Sequence, residues 1–246
     1  MRLLERDSNR VLIAVAHPDD EVLGAGATAA KLTDAGVAAT ACILSGRANA
    51  RTHRPSDADL LTDIGAAADR LGMERPIVGD FPNIAMNTVD HIKLVQFIEA
   101  AILETGSNVI FTHHPSDLND DHRQVSSACQ VAARIAQRRA GLPPLRSLYF
   151  MEVLSSTDWG FPGASGPFLP TAFMEVGKHY MERKLDALAC YRNVMRPLPH
   201  PRSREVVRSL ATYRGGQSGM IYAEAFQTVM SNLSHLGGDN VIQTEG

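Results

Sequence analysis

Short apolar runs alternate with longer stretches of helical period along most of the chain. The strand-like runs cover residues 11–16, 37–44, 76–79, 108–112 and 147–153. Between them, at about 21–35, 57–72, 88–105 and 122–140, apolar side chains recur every three to four positions, as on a helix with one buried face. This alternation predicts an α/β fold: a Rossmann-like, mostly parallel sheet with helices on both faces. Gly36 and Gly72 stand where two of the helices need a left-handed residue to end. After residue 153 the pattern breaks. Trp159-Gly160-Phe161-Pro162-Gly163 reads as a loop, and a C-terminal αβ extension follows. Residues 178–194 and Arg202 to Tyr213 have helical period, while Tyr222 to Met230 reads as either a helix or an edge strand. The expected organisation is one domain over 1–235, with 236–246 a flexible tail.

Two polar clusters interrupt this pattern, each straight after a strand. His17-Pro18-Asp19-Asp20-Glu21 follows the first, and Thr112 to Arg123, with His113, His114, Asp120, Asp121 and His122, follows the fourth. In an open parallel sheet both positions face a shared crevice at the carboxyl ends of the strands. His17, Asp20 and His122 would then supply three ligands, the number found in a catalytic zinc site that leaves a position for water. Mixed nitrogen and carboxylate donors suit Zn2+, one per chain, or another first-row divalent ion better than magnesium. Asp19 is placed to take a proton from the activated water, and Asp121 to orient a ligand imidazole. The plainer alternative for Asp19 and Asp20 is that they cap the following helix.

Composition narrows the partners. A formal charge of −3 offers no basic face for nucleic acid. A small molecule is the expected partner, and a homo-oligomer is left open. Charges in the N-terminal residues and the lack of a run of about 20 apolar residues predict a cytoplasmic protein without membrane insertion. Cys42, Cys129 and Cys190 form no CxxC pair and read as buried structural thiols. No Gly-x-Ser-x-Gly elbow is present for a serine nucleophile.

The run Ala16-His17-Pro18-Asp19-Asp20-Glu21 with Gly24 and Gly26, and the later Asp121-His122-Arg123, resembles the PIG-L (LmbE-like) zinc N-deacetylase superfamily. Ser45-Gly46-Arg47 and Asp69-Arg70-Leu71-Gly72 extend the likeness over roughly residues 10–155. Lys184-Leu185-Asp186-Ala187-Leu188, Tyr191 and Ala223-Glu224-Ala225-Phe226 look like features of one bacterial branch. The resemblance implies a Rossmann-like hydrolase that removes an N-acetyl or other N-acyl group from an amino sugar, a sugar conjugate or a nucleotide-linked sugar. It implies zinc on His17, Asp20 and His122, with Asp19 as general base. One departure stands out: the family's second motif reads His-Pro-Asp-His, and here Asn119 occupies the first histidine's place. His200, stiffened between prolines, is the candidate replacement donor for the transition state, with His114 second. Arg47, Arg51 and Arg54 on the loop after the second strand, and Trp159 on the Gly/Pro-rich loop, are candidate substrate contacts. Two other functions remain: an amidase of the same superfamily acting on a thiol or other conjugate, or a catalytically silent metal- or sugar-binding protein.

Overall fold

A computed structural model describes residues 9–47, 55–160 and 166–233. Strands β1 (Arg10–Val15), β2 (Ala38–Ile43), β3 (Ile77–Val78), β4 (Val109–His113) and β5 (Ser147–Met151) run parallel. They alternate with helices α1 (Asp20–Asp34), α2 (Asp57–Leu71), α3 (His91–Thr105) and α4 (Asp120–Ala132). The remainder adds β6 (Ala172–Glu175), α5 (Gly177–Cys190), α6 (Arg204–Ser218) and β7 (Ala223–Ser231). All strands join one sheet in the order β3-β2-β1-β4-β5-β7-β6, with β7 antiparallel to both of its neighbours. The expected α/β class, with its mostly parallel sheet, is what the protein adopts.

Strand β1 shows why its sequence is apolar without alternation. Val11, Ile13 and Val15 belong to the core beneath α1, α2 and α5, whereas Leu12, Ala14 and Ala16 belong to the core beneath α3 and α4. A strand buried on both faces has no polar side. From β1 the chain moves outward to β2 and β3, then returns to lay β4 along the other side of β1. This reversal opens a crevice where the carboxyl ends of β1 and β4 diverge.

Helix ends follow local chemistry. Ser56 caps α2 by accepting from the Asp59 amide at 3.1 Å, and Gly72 ends it at φ 70°. Several boundaries differ from expectation. Helix α4 stops at Ala132 instead of continuing to 140, and a short turn at 135–137 tucks Ile135 into the core. Beyond Ile135 the next residues, through Gly141, offer no apolar face to bury, and a helix without one gains little. Tyr222 to Met230 resolves as a strand that lies inside the sheet, because β6, which the sequence pattern did not announce, forms the edge. Cys42 and Cys129 are buried as expected, but Cys190 is only half-buried at the end of α5. The expected tail 236–246 lies outside the described residues. Among the described residues, no helix is long and apolar enough to cross a membrane.

Candidate active site

The turn after β1 carries three carboxyl groups that are buried without being helix caps. Asp19 occupies the N-cap position of α1, yet its side chain accepts from none of the helix amides. Asp20 Oδ2 turns back to accept from the His17 amide at 3.0 Å. The capping alternative is therefore replaced by a more specific arrangement. Glu21 accepts from the Asp19 amide through Oε2 and from the Tyr191 hydroxyl through Oε1. Burial drives the Glu21 carboxyl up to about 8, so it sits at neutral pH as a largely uncharged strut.

The turn after β4 brings the second cluster to the same place. Asn119 caps α4, its Oδ1 accepting from the Asp121 amide at 3.0 Å, and this starts the helix so that His122 projects toward His17. Each imidazole is held from behind by a carboxylate. Asp121 Oδ2 lies 2.9 Å from His17 Nε2, and Asp117 Oδ2 lies 3.2 Å from His122 Nδ1. Asp121 is fixed in turn by the Ile84 and Met86 amides, and Asp117 by the Ser156 and Thr157 hydroxyls and the Asn119 amide. The free nitrogens of the two rings consequently face each other.

Those nitrogens form a triangle with Asp20. His17 Nδ1 and His122 Nε2 are 3.3 Å apart, and Asp20 Oδ2 is 3.4 Å from the first and 3.1 Å from the second. A tetrahedral ion with bonds of about 2.0–2.1 Å requires ligand atoms about 3.3 Å apart. The donor set and spacing thus fit a metal such as zinc. The electrostatics agree: burial alone would strip the charge from His122, but the carboxylates of Asp20 and Asp117 outweigh it and lift its pKa to about 10. A site that holds a proton so firmly is one in which a positive charge belongs. His113, stacked 3.8 Å from His122, is its opposite. It accepts from the Ala16 amide through Nε2, and burial lowers its pKa to about 3, so it remains a neutral slab behind the triangle.

Asp19 projects elsewhere. Its Oδ2 accepts from Arg202 Nη1 at 3.1 Å, while Arg202 Nε donates to Ser155 Oγ at 2.7 Å. Both line a cleft of about 170 Å³ together with His17, Asp20, His122, Arg47, Asn83, Ile84, Asn119, Ser155 and Ser156. Asp19, Ile84 and Ser155 have φ of 95°, 59° and 66°. Non-glycine residues avoid that region, and such strain collects at functional sites.

The other anticipated residues land as follows. Arg47 and Asn119 line the cleft, although the Arg47 guanidinium is engaged by Asp80. His114 points away, bonded to Gln227 and to the Ser116 amide between Phe150 and Phe168. His200 accepts from the Arg202 amide and meets Trp159 edge-on, ring centres 6.1 Å apart; neither ring lines the cleft. Arg51 and Arg54 lie outside the described residues. Among the described residues the cation that reaches Asp19 is Arg202, one of several arginines in the C-terminal part of the chain. Asp117, inside the second cluster, went without a role, as did Ser156.

A family model described as PIG-L, GlcNAc-PI de-N-acetylase, matches residues 12–133. Over these residues the chain belongs to the PIG-L family. The PIG-L segment contains both clusters, whereas Tyr191 and Arg202 lie beyond it. Three solved structures are similar over most of the chain. The conserved protein TT1542 from Thermus thermophilus shares 21% identity at a TM-score of 0.74, covering 91% of this chain and 96% of that one. N,N'-diacetylchitobiose deacetylase from Pyrococcus horikoshii shares 19% at 0.72, covering 91% and 84%. GalB, the 4-carboxy-2-hydroxymuconate hydratase from Pseudomonas putida, shares 21% at 0.72, covering 91% and 97%. At these identities the likeness is one of fold, and a deacetylase and a hydratase share it. Comparison with curated proteins finds no match.

Proposed function

We propose that the protein is a metal-dependent hydrolase that removes an N-acetyl or short N-acyl group from an amino sugar or sugar conjugate. The observation that carries this reading is the triangle of His17 Nδ1, Asp20 Oδ2 and His122 Nε2 beside a carboxylate, Asp19, that opens on the same cleft. The PIG-L match and a deacetylase among the similar structures support the amide as the bond attacked.

A zinc or similar ion held by His17, Asp20 and His122 supplies a Lewis acid that acidifies water and polarises a carbonyl. Asp121 and Asp117 keep the two imidazoles in the tautomers that offer their inner nitrogens. Asp19 accepts the proton of the attacking water, then delivers it to the amide nitrogen as the carbon–nitrogen bond breaks, leaving a carboxylic acid and an amine, between which the remaining acidic proton redistributes. Arg202 fixes the Asp19 carboxylate through Nη1, and among the described residues its Nη2 makes no hydrogen bond. That N–H is available to the oxyanion of the tetrahedral intermediate, the task first assigned to His200 or His114. Asn83, Asn119, Ser155 and Ser156 offer hydroxyl-matching groups for a sugar ring.

The test is acetate release from free, nucleotide-linked and glycoside-linked N-acetylhexosamines, with and without chelator. Asp19→Asn is expected to lower kcat about 10²–10⁴-fold with the metal retained. Full activity in that variant would remove Asp19 as the base. Turnover confined to bulkier amides would make the protein an amidase instead. A metal-loaded chain that releases no acid from any amide would leave a binding protein.

A further inference from the structure

Helix α1 is interrupted at Ala25, whose φ of −143° and ψ of 18° are not helical. In an unbroken helix the amides of Ala27 and Thr28 would reach the carbonyls of Leu23 and Gly24. Here both amides donate to the Glu224 carboxylate from β7, Ala27 to Oε1 at 3.1 Å and Thr28 to Oε2 at 2.6 Å. The Leu23 carbonyl accepts from Lys184 Nζ of α5 at 2.7 Å, and the same ammonium lies 2.6 Å from Glu224 Oε1. Both ends of one potential rung, the Leu23 carbonyl and the Ala27 amide, are thus taken up by the two members of a single ion pair. The pair matches the dipoles it meets, with the cation at the C-terminus of the leading turn and the anion at the N-terminus of the following helix. Both side chains are buried, at 7% and 5% exposure.

A buried ion pair is a poor way to gain stability compared with an apolar contact. Its value here lies in what it holds. The leading turn, Asp20 to Gly24, begins at Asp19 and carries Asp20, so the position of the break fixes both carboxylates relative to β1. On its other side the turn packs closely at Gly24, where a β-carbon would lie 2.3 Å from Met151 Sδ and that side chain would have to shift.

We infer that Lys184 and Glu224 are positioning residues: acting through the backbone of Leu23, Ala27 and Thr28, they set the turn on which Asp20 meets His17 and His122. The inference rests on reading Asp20 as a metal ligand. It predicts that the ion pair and metal binding are coupled across the length of that turn.

The experiment is titration of the purified full chain with Co2+ against a chromophoric chelator, together with the visible spectrum of the bound ion, well below the unfolding temperature. Glu224→Gln, which keeps the shape and removes the charge, is expected to weaken Co2+ binding about tenfold and to alter the spectrum, as outer supports of a metal site do. Glu152→Gln breaks another half-buried pair, Glu152 with Arg214 at 2.6 Å. It serves as the control that lowers Tm and leaves affinity and spectrum unchanged. Wild-type affinity and spectrum in Glu224→Gln overturn the positioning role and leave the metal site standing. A wild-type chain that binds no Co2+ overturns the ligand reading and the inference together. Should Glu224→Gln fail to fold, amide hydrogen exchange of the wild type decides. Metal binding and closure of this turn are linked, so Zn2+ is expected to slow exchange at Ala27 and Thr28. Unchanged exchange at both amides overturns the inference.

Discussion

Residues 12–133 and residues 172–231 approach the cleft in different ways. The first region brings His17, Asp19, Asp20, Asp117, Asp121 and His122, all on two turns at strand ends, where a short stretch of sequence delivers several side chains to one point. The second brings Lys184, Tyr191, Arg202 and Glu224, one at a time, from α5, the segments after it and β7. None of these four meets the triangle of proposed ligand atoms; Lys184, Tyr191 and Arg202 grip the turn that presents Asp20, and Glu224 holds the helical segment that follows it. Chemistry can be concentrated in a motif because a turn is local, whereas support has to arrive from several directions and is therefore dispersed.

Substitutions in the two regions should accordingly differ in kind as well as in size. His122→Ala should empty the site and lower turnover by at least on the order of 10³-fold, since the Lewis acid goes with the ligand. Metal analysis of the purified variant beside its rate checks this. Arg202→Met should keep the metal and lower kcat about 10²-fold with a smaller change in KM, the signature of a donor that matters mainly in the transition state. Loss of metal in that variant would erase the distinction between the regions. Asp117→Asn tests the first region's own support: chelator competition should show affinity weakened about 10–100-fold while the protein stays folded. Tyr191→Phe should be mildest. It removes one buried hydrogen bond to Glu21, worth about 1–2 kcal/mol, and thermal unfolding should show a Tm lower by about 2–6 °C with the metal in place.

The same division explains what could be read from the chain. The five parallel strands were legible because each is an apolar run bounded by turn formers, and β1 needs no polar face when cores cover it on both sides. Strand β7 was ambiguous because Ala223, Glu224, Ala225, Gln227 and Met230 favour helices as single residues; only its neighbours β5 and β6 make it a strand. Among the site residues, His17, Asp20 and His122 could be proposed from spacing, as they follow strands that must lie side by side. Arg202 could not be told from the other arginines near it, because its partner, Asp19, is 183 positions away. His200, two residues earlier, drew attention by its flanking prolines, yet its imidazole serves the loop by accepting from the Arg202 amide. Glu224 and Lys184 belong to patterns that suggested a branch of the family, but a sequence pattern does not say what a carboxylate touches.

The left-handed backbone at Asp19 has one further consequence. Only glycine, which has no β-carbon, rests there freely; aspartate and asparagine tolerate the conformation better than most, and other residues bear about 1–2 kcal/mol. On the proposed mechanism, position 19 therefore satisfies two separate requirements with a single residue, a bend the main chain resists and the base assigned to it. Alanine would remove the base and keep the strain, glycine would remove both, and asparagine alters the base alone.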